Sequence, residues 1–472
     1  MTDLARAVAR LSRFLALATA ITLPSAAPAA NEGKMDILFD RFLDQFQADN
    51  GRTIAKSIGF HQVAGVSVVM IEGALPLEHR VWGERDIGQG KPTTHDTIYQ
   101  AASLSKFVAA LTIAGAHRRE DVKINRSVDR FAELFPDSIV GKWRKQAFKG
   151  DQEDWPESIT LRRLLSHSAG LDTHGIGHFA DTAHCNSVKS IILGNVLTAA
   201  CNGVKPIRSP GVQYEYSGGG YTVAESMLET ETGRSFKGYA EDHVLNPFGM
   251  TRSTFDDGAK DMDNLARGCS QGKCKKDKVL TLKPKAAGGL LAHPEDFARL
   301  LHLIMYDGKD IAATGRLSTA PQVIPWEDIE QVLRPASHRD STFNPCTNSC
   351  PGRPGLIWTN SLPTAGLRPE ACYKSTCREN LSITPGDFTD DYYGLGAFLS
   401  QSTQADNLPL RFRHGGDQDN VANEVFARRD QKAGIVIFVN GEDSWTDDSG
   451  KKRGASVLAT EILNAWRAET GL

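Results

Sequence analysis

The 472-residue chain lacks a basic tract and an internal repeat, and beyond its first thirty residues it has no apolar run of membrane-spanning length. Its formal net charge is −3. A protein that binds nucleic acid normally carries clustered lysine and arginine, and a spanning helix needs about 20 consecutive apolar residues. We therefore expect no nucleic-acid partner and no stable membrane span in the mature chain.

The first thirty residues are typical of an export signal. Three arginines precede a ten-residue apolar core at positions 14–23, and the small residues that follow offer a cleavage site near Ala29 or Ala30. The core is too short for a spanning helix, and no cysteine follows it to carry a lipid anchor. We expect a signal peptide over residues 1–30 and a periplasmic or secreted protein; an uncleaved anchor is the alternative.

Cysteine is scarce but even in number, which in an exported chain predicts disulfides. The eight are Cys185, Cys201, Cys269, Cys274, Cys346, Cys350, Cys372 and Cys377. Sequence proximity favours pairing of the first two and of the next two. The last four form C-x3-C and C-x4-C pairs, a spacing that a zinc site also shows. Disulfides are the prediction, zinc is the alternative, and the connectivity of the last four stays open.

A serine precedes a lysine by three positions in three places, beginning at Ser103, Ser270 and Ser449. Only the Ser103 copy opens a long apolar run, which predicts a buried helix. Residues three apart share a helix face, so the Lys106 amine is expected to reach the Ser103 hydroxyl. Burial and the positive end of the helix dipole both lower a lysine pKa, and a neutral amine can take a proton from serine. The alternative is a helix-start serine beside a lysine that reaches solvent.

The order of predicted elements indicates an α/β fold of the α+β type. Strand patterns lie near both ends of the chain and helical patterns in the middle. We expect one antiparallel sheet, built from residues of about 35–120 and 390–472 and flanked by helices. A mainly helical lobe of about 121–389 is inserted, with a cysteine- and proline-rich insertion at about 335–385. The catalytic cleft is expected between the two lobes.

Two further motifs follow the Ser103 motif in order: Tyr216-Ser217-Gly218 ahead of a predicted helix, and His414-Gly415-Gly416 at a predicted strand end. Residues 160–171 (TLRRLLSHSAGL) and 286–301 (AAGGLLAHPEDFARLL) add two supporting segments. Together these resemble the penicillin-recognising serine hydrolases that include class C β-lactamases, D-alanyl-D-alanine peptidases and family VIII-type esterases. The resemblance covers roughly residues 40 to 470.

The resemblance implies roles for three catalytic residues. Ser103 would be the nucleophile, Lys106 its first proton partner, and Tyr216 a phenolic partner that shares protons with Lys106 and the leaving group. Because the two partners would titrate as a pair, the base is not assigned to either alone.

The same resemblance implies a substrate-binding strand. The backbone N–H groups of Ser103 and Asp417 would form the oxyanion hole, and His414 would hydrogen-bond Tyr216 or the substrate. Gly415 and Gly416 would let the strand backbone approach the bound acyl group.

Two positions depart from the class C β-lactamase pattern. Gly218 stands where asparagine is usual, and His414-Gly415-Gly416 stands where Lys-Thr-Gly is usual. Both changes argue against efficient β-lactam hydrolysis. Asp417 adds a negative charge that either favours a cationic substrate end or points away from the site. We expect an enzyme that cleaves an ester, a short peptide amide or a cell-wall-derived substrate without a cofactor. A true β-lactamase and a non-catalytic cell-wall-binding protein are the alternatives.

A metal site is a further alternative that the sequence disfavours. Four histidines lie close together, at His167, His174, His178 and His184. Glycines interrupt the helix that would align them, and no H-E-x-x-H motif accompanies them. We expect no bound metal.

Overall fold

The computed structural model describes residues 32–131, 158–174, 188–193, 203–207, 210–211, 214–256, 258, 263–267, 269–270, 273–274, 284–334, 336–338, 392–400, 409–418, 420–442 and 444–471. The predicted signal peptide, six of the eight cysteines and most of the cysteine-rich insertion lie outside these residues.

Strands from both ends of the chain form a single antiparallel sheet, as the sequence predicts. In chain order the strands are β1 (Gly65–Glu72), β2 (Glu78–Asp86), β3 (Lys91–Pro92), β4 (Tyr99–Gln100), β5 (Cys269–Ser270), β6 (Lys273–Cys274), β7 (Leu291–Ala292), β8 (Ser337–His338), β9 (Tyr392–Tyr393), β10 (Phe398–Leu399), β11 (Arg411–Gln418), β12 (Val421–Arg428), β13 (Ala433–Asn440), β14 (Trp445–Thr446) and β15 (Lys452–Arg453). The main sheet has nine strands in the order β3-β2-β1-β13-β12-β11-β10-β9-β8, and the others pair as β4-β7, β5-β6 and β14-β15.

Both faces of the main sheet are buried, which explains why β1 and β13 are almost continuously apolar. Side chains alternate across a strand, so Val66 and Val68 enter one core while Val69 and Ile71 enter the other. The first core lies under the terminal helices and the second lies under the helical lobe. The sheet is therefore the wall between two hydrophobic layers.

Helices cover both faces. They are α1 (Glu32–Asn50), α2 (Ile54–His61), α3 (Ser105–Arg118), α4 (Leu161–Leu165), α5 (Val188–Leu193), α6 (Gly218–Thr232), α7 (Phe236–Ala240), α8 (Lys285–Gly288), α9 (Pro294–Met305), α10 (Trp326–Leu333) and α11 (Ala455–Thr470), with a π-helical turn at Glu241–Leu245. Helices α1 and α11 pack together, α11 packs on β12 and β13, and α9 packs on β1 and β13. No helix in the described part of the chain is long and apolar enough to cross a bilayer.

Local signals set the ends of the helices that carry the site. The Thr160 hydroxyl caps α4 by accepting from the Arg163 N–H, and the Ser217 hydroxyl caps α6 by accepting from the Gly220 N–H. Gly233 ends α6 in the left-handed conformation, with φ of 66°. These caps fix where the loops between the helices enter the cleft.

Two details differ from the sequence predictions. The pattern of residues 393–400 (YGLGAFLS) predicts one strand. In the structure these residues contribute to two short strands joined at Gly396, where a Cβ would lie 2.6 Å from the Lys106 carbonyl oxygen. The first residues of the predicted insertion, Ser337 and His338, form the edge strand of the main sheet. Cys269 and Cys274 lie opposite each other in the β5-β6 register, and a disulfide between them stays a prediction.

Candidate active site

Ser103 lies in a 3-10 turn, Ala102–Leu104, that leads directly into α3. The sequence predicts Ser103 in the first turn of the helix itself; the 3-10 turn still superposes positions i and i+3 on one side. Ala102 has φ of 48°, a left-handed conformation that costs a non-glycine residue roughly 1 kcal/mol or more. The serine is therefore held at a tightened corner between β4 and α3, with its side chain partly exposed to the cleft.

Lys106 is buried one turn further on. Its side chain is 2% exposed, and every residue from Ser105 to Ala116 is buried. The Lys106 Nζ lies 3.0 Å from the Ser103 Oγ and donates to the Ala287 carbonyl oxygen at 2.6 Å. Burial lowers the pKa of Lys106 to about 7 because the charged form loses its hydration. Near neutral pH a large fraction of this amine is uncharged and able to accept the Ser103 proton.

The Ala287 carbonyl oxygen, which accepts from Lys106, lies in α8, and a buried glutamate holds that helix in place. Glu225 on α6 accepts a hydrogen bond from the Ala286 N–H at 2.8 Å, next to Ala287 in α8. Burial raises the pKa of Glu225 to about 8. Sequence reasoning missed this residue, since a single glutamate in a helical pattern gives no signal until α8 is packed against α6.

Tyr216 reaches the same point from the start of α6. Its phenol hydrogen-bonds the Ser103 side chain, and burial of the hydroxyl raises the Tyr216 pKa above its ordinary value. The Lys106 Nζ lies 5.1 Å from the centre of the Tyr216 ring. The three residues predicted as catalytic are thus brought together around one oxygen atom.

His167 holds Tyr216 in place from the loop after α4, a role that the sequence did not reveal. The Ser217 N–H donates to the His167 Nδ1 at 3.0 Å, and the Glu215 N–H donates to the His167 carbonyl oxygen at 2.7 Å. The His167 and Tyr216 ring centres are 4.1 Å apart. Burial lowers the pKa of His167, and Lys106 and His414 lower it further. The imidazole is therefore neutral, with its proton on Nε2.

His414 contacts groups that the sequence did not indicate, and its contact with substrate stays a prediction. The ring is 2% exposed, and its two nitrogens face the Gly415 carbonyl oxygen at 2.5 Å and the Tyr393 hydroxyl at 3.0 Å. The Tyr216 ring centre is 6.4 Å from the His414 ring centre, close enough to pack. Sequence reasoning missed Tyr393 because β9 lies 21 residues away and joins the site only through sheet pairing.

Gly416 brings the strand against the nucleophile turn. A Cβ at this position would lie 2.4 Å from the Ala101 carbonyl oxygen, whereas a Cβ at Gly415 would meet the flexible end of Glu424 at 3.0 Å. The close approach of β11 is thus toward the chain before Ser103. The Asn423 Nδ2 on β12 fastens the same region by donating to the Gln100 carbonyl oxygen at 2.9 Å.

The end of β11 faces the cleft with an open edge. Within the described residues, β10 pairs only with Phe412 and Arg413, so the outer edge from His414 to Gln418 has no strand beside it. Asp417 is exposed and its charge raises the Tyr216 pKa. The backbone N–H groups of Ser103 and Asp417 remain the predicted oxyanion hole.

Gly218 and the neighbouring histidine complete the rim. The Gly218 N–H donates to the His174 carbonyl oxygen at 3.2 Å, and the exposed His174 ring lies 4.8 Å from the Tyr216 ring. His178 and His184 lie outside the described residues. Among the residues that are described, no three histidine, cysteine or acidic side chains are grouped as metal ligands.

A serine-histidine-glutamate group lies outside the candidate active site. The Ser67 Oγ is 2.6 Å from the His79 Nε2, and the His79 Nδ1 is 2.8 Å from the Glu295 Oε1. Ser67 is fully buried in the middle of β1. These three side chains have the spacing of a catalytic triad, but substrate cannot reach the buried serine. Their contacts join the sheet to α9. Ser67 therefore serves as an internal control for Ser103.

The sequence model of the Beta-lactamase family matches residues 39–459. The chain belongs to the Beta-lactamase family. It is 23% identical over 193 residues to protein flp of Staphylococcus aureus strain MW2, a match that covers 41% of this chain and 35% of that one. The chain thus spans about a third of the length of that relative.

Solved structures share the fold. The penicillin binding protein from Bacillus halodurans superposes with a TM-score of 0.56 at 15% identity, over 88% of this chain and 99% of that one. The octameric penicillin-binding protein homologue from Pyrococcus abyssi gives 0.55 at 17% identity, over 93% and 78%. The family is one of serine hydrolases, and the predicted fold is confirmed.

Proposed function

We propose that this protein is an exported serine hydrolase that forms an acyl-enzyme on Ser103 and cleaves an ester or a short peptide amide. The observation that carries the proposal is the contact of the Ser103 hydroxyl with both Lys106 and Tyr216. A serine beside a buried amine with a pKa near 7 has the base that an oxygen nucleophile needs.

Acylation begins with proton transfer from Ser103 to the neutral Lys106 amine as Oγ bonds to the substrate carbonyl carbon. The tetrahedral oxyanion lies against the N–H groups of Ser103 and Asp417. The bond from carbon to the alcohol or amine then breaks, and the leaving group takes a proton from the Lys106 and Tyr216 pair. We assign the base role to Lys106, since its pKa falls toward neutrality while that of Tyr216 rises.

Deacylation repeats these steps with water. The amine removes a proton from water, the hydroxyl adds to the acyl carbon, and the Ser103 ester bond breaks. Ser103 recovers its proton and the acid product leaves. No step needs a cofactor, because each transfers only a proton or an acyl group between named atoms.

The export proposal rests on the signal pattern of residues 1–30 and on the even number of cysteines. An intact mass from periplasmic and culture fractions would show removal of about thirty residues. The full-length mass in the cytoplasmic fraction alone would contradict export and leave the chemistry at Ser103 standing.

The test is covalent labelling with a fluorophosphonate, which loses fluoride when a serine oxygen bonds to phosphorus. We expect one adduct on the wild-type protein, mapped to Ser103 and absent from Ser103→Ala. Ser67→Ala is the matched control, because Ser67 has a histidine partner but no exposure, and it should label like wild type. Absence of an adduct on folded wild-type protein would favour the non-catalytic cell-wall-binding alternative.

Substrate panels then separate the hydrolase classes. Unlabelled wild-type enzyme should turn over esters or short peptide amides and leave β-lactams largely intact. Rapid β-lactam turnover would make the protein a true β-lactamase and would overturn the substrate proposal while keeping Ser103 as nucleophile.

A further inference from the structure

The hydrogen-bond geometry of His414 fixes both its tautomer and its charge. A carbonyl oxygen only accepts, so the nitrogen at 2.5 Å from the Gly415 oxygen, Nδ1, carries the ring proton. The other nitrogen, Nε2, then has a lone pair, and the Tyr393 hydroxyl at 3.0 Å donates to it. Burial first, and the charge of Lys106 second, lower the pKa of His414 to about 3.

The pair has little room to rearrange. Tyr393 is fully buried and His414 is 2% exposed. The Phe398 ring packs against both, with ring centres 4.9 Å from Tyr393 and 5.3 Å from His414. A phenol locked beside an imidazole keeps one proton arrangement, since turning either ring would leave a buried polar atom without a partner.

Two cations near His414, Lys106 and Arg413, oppose its protonation. Lys106 faces it from α3, His167 from the loop after α4 and Tyr216 from the start of α6. Arg413, next to His414 on β11, lowers the His414 pKa further. None of these groups supplies the negative charge that would stabilise an imidazolium.

We propose that Tyr393 is a positioning residue that keeps His414 uncharged with both nitrogens occupied, and that this makes the enzyme select substrates whose leaving group carries no carboxylate. The inference rests on the proposed function. The leaving group takes its proton from the Lys106 and Tyr216 pair, so it lies beside Tyr216, where His414 packs. That corner holds a neutral imidazole and the nearby carboxylate of Asp417.

A leaving-group carboxylate in this corner would be a charge without a partner. A carboxylate brought into a partly enclosed corner loses hydration, and it needs a cation or donors to replace the lost water. His414 offers neither, because its N–H is used by Gly415 and its lone pair by Tyr393. Asp417 would add repulsion. A neutral or cationic leaving group meets no such penalty.

The test compares phenyl and 3-carboxyphenyl phenylacetate, which share an acyl group and differ only by the carboxylate. To correct for the different intrinsic reactivity of the two esters, the kcat/KM of each is divided by its rate constant for alkaline hydrolysis. We expect this wild-type ratio to favour the neutral ester by at least about tenfold. His414→Lys should remove most of that preference by supplying a cation. Equal normalised rates for the two esters in the wild type would overturn the inference.

Tyr393→Phe tests the positioning role without changing size. Loss of the hydroxyl leaves His414 Nε2 without its donor, so the His414 pKa should rise and the preference against the carboxylate should shrink as the pH is lowered from 7 to 5. A preference that stays independent of pH in this variant, at the wild-type level, would show that Tyr393 only packs.

Nitrogen-15 NMR of the histidine-labelled wild-type protein measures the protonation state of His414 directly, and a variant is needed only to assign its signal. The chain has 13 histidines, and the His414→Gln spectrum identifies the signal that disappears. We expect a neutral ring protonated on Nδ1 between pH 5 and 8; an imidazolium or an Nε2–H ring would overturn the inference. If neither ester is turned over and Ser103 is not labelled, the proposed function fails, while this spectrum still decides the state of His414.

Discussion

At the scale of single residues, the buried amine of Lys106 sets how activity depends on pH. The neutral form is the base, and burial lowers the pKa to about 7. We therefore expect kcat/KM for an ester to fall about tenfold per pH unit well below that pKa and to level above it. A pH-rate profile from 5 to 9 measures this. A flat profile through pH 6 with intact fold would contradict Lys106 as the base.

The same burial makes Lys106 costly to the fold. Its pKa is lower in the folded chain than in the unfolded chain, so the unfolded state binds more protons between about pH 7 and 10.5, and stability rises with pH across that window. Lys106→Met should abolish activity and stabilise the protein at pH 6 by roughly 1–3 kcal/mol, after loss of the Ala287 contact is counted. Denaturant melts at pH 6 and pH 10 measure the gain, which should shrink at the higher pH. A gain that does not shrink would point to packing rather than charge.

His167 is expected to act on the reaction through Tyr216. Its Nδ1 accepts from Ser217 and its backbone is left-handed, with φ of 55°. His167→Phe should lower kcat by about tenfold or more with a smaller change in KM, because the phenol shifts from Ser103. His167→Asn is the matched variant, since asparagine tolerates this backbone and keeps an acceptor. Partial rescue of kcat by asparagine supports the positioning role; equal loss in both variants would contradict it.

At the scale of elements, the approach of β11 to the nucleophile turn decides the shape of the oxyanion hole. Gly416→Ala places a Cβ 2.4 Å from a backbone oxygen, whereas Gly415→Ala meets a flexible side chain at 3.0 Å. We expect the first variant to lose at least about a hundredfold in kcat/KM and the second less than about fivefold. Rates at a temperature where both variants are folded by circular dichroism measure the difference. Similar losses in both would show that the spacing of β11 from Ala101 is not what matters.

The secondary-structure elements also show which features of the fold the sequence predicts and which it does not. Apolar runs near both ends of the chain predicted the strands of the main sheet, and helical patterns predicted the helices between them, because those signals are local. Motif order predicted the contact of Ser103 with Lys106 and Tyr216. Tyr393, Glu225 and the acceptor role of His167 were missed, because each acts through a partner brought near only by sheet pairing or helix packing. The contact of His414 with Tyr393 was missed for the same reason.

At the scale of the whole molecule, the sheet has a separate core beneath the terminal helices, far from the site. Trp466 on α11 is fully buried there and packs on Phe426 of β12, with ring centres 5.8 Å apart. Trp466→Ala should lower the free energy of unfolding by about 3–5 kcal/mol. Ile37→Ala on α1 is the control, because that side chain is 61% exposed and should change stability by less than about 0.5 kcal/mol.

The two cores make this loss of stability separable from catalysis. Ser103, Lys106 and Tyr216 lie on the helical-lobe side of the sheet, so Trp466→Ala should keep its kcat within about twofold of wild type below its melting temperature, since sites without shared partners act additively. Thermal melts and ester kinetics on the same samples measure both quantities. A fall in kcat that parallels the loss of stability would mean that the sheet transmits strain from the terminal helices to β11. The two hydrophobic cores would then not be independent.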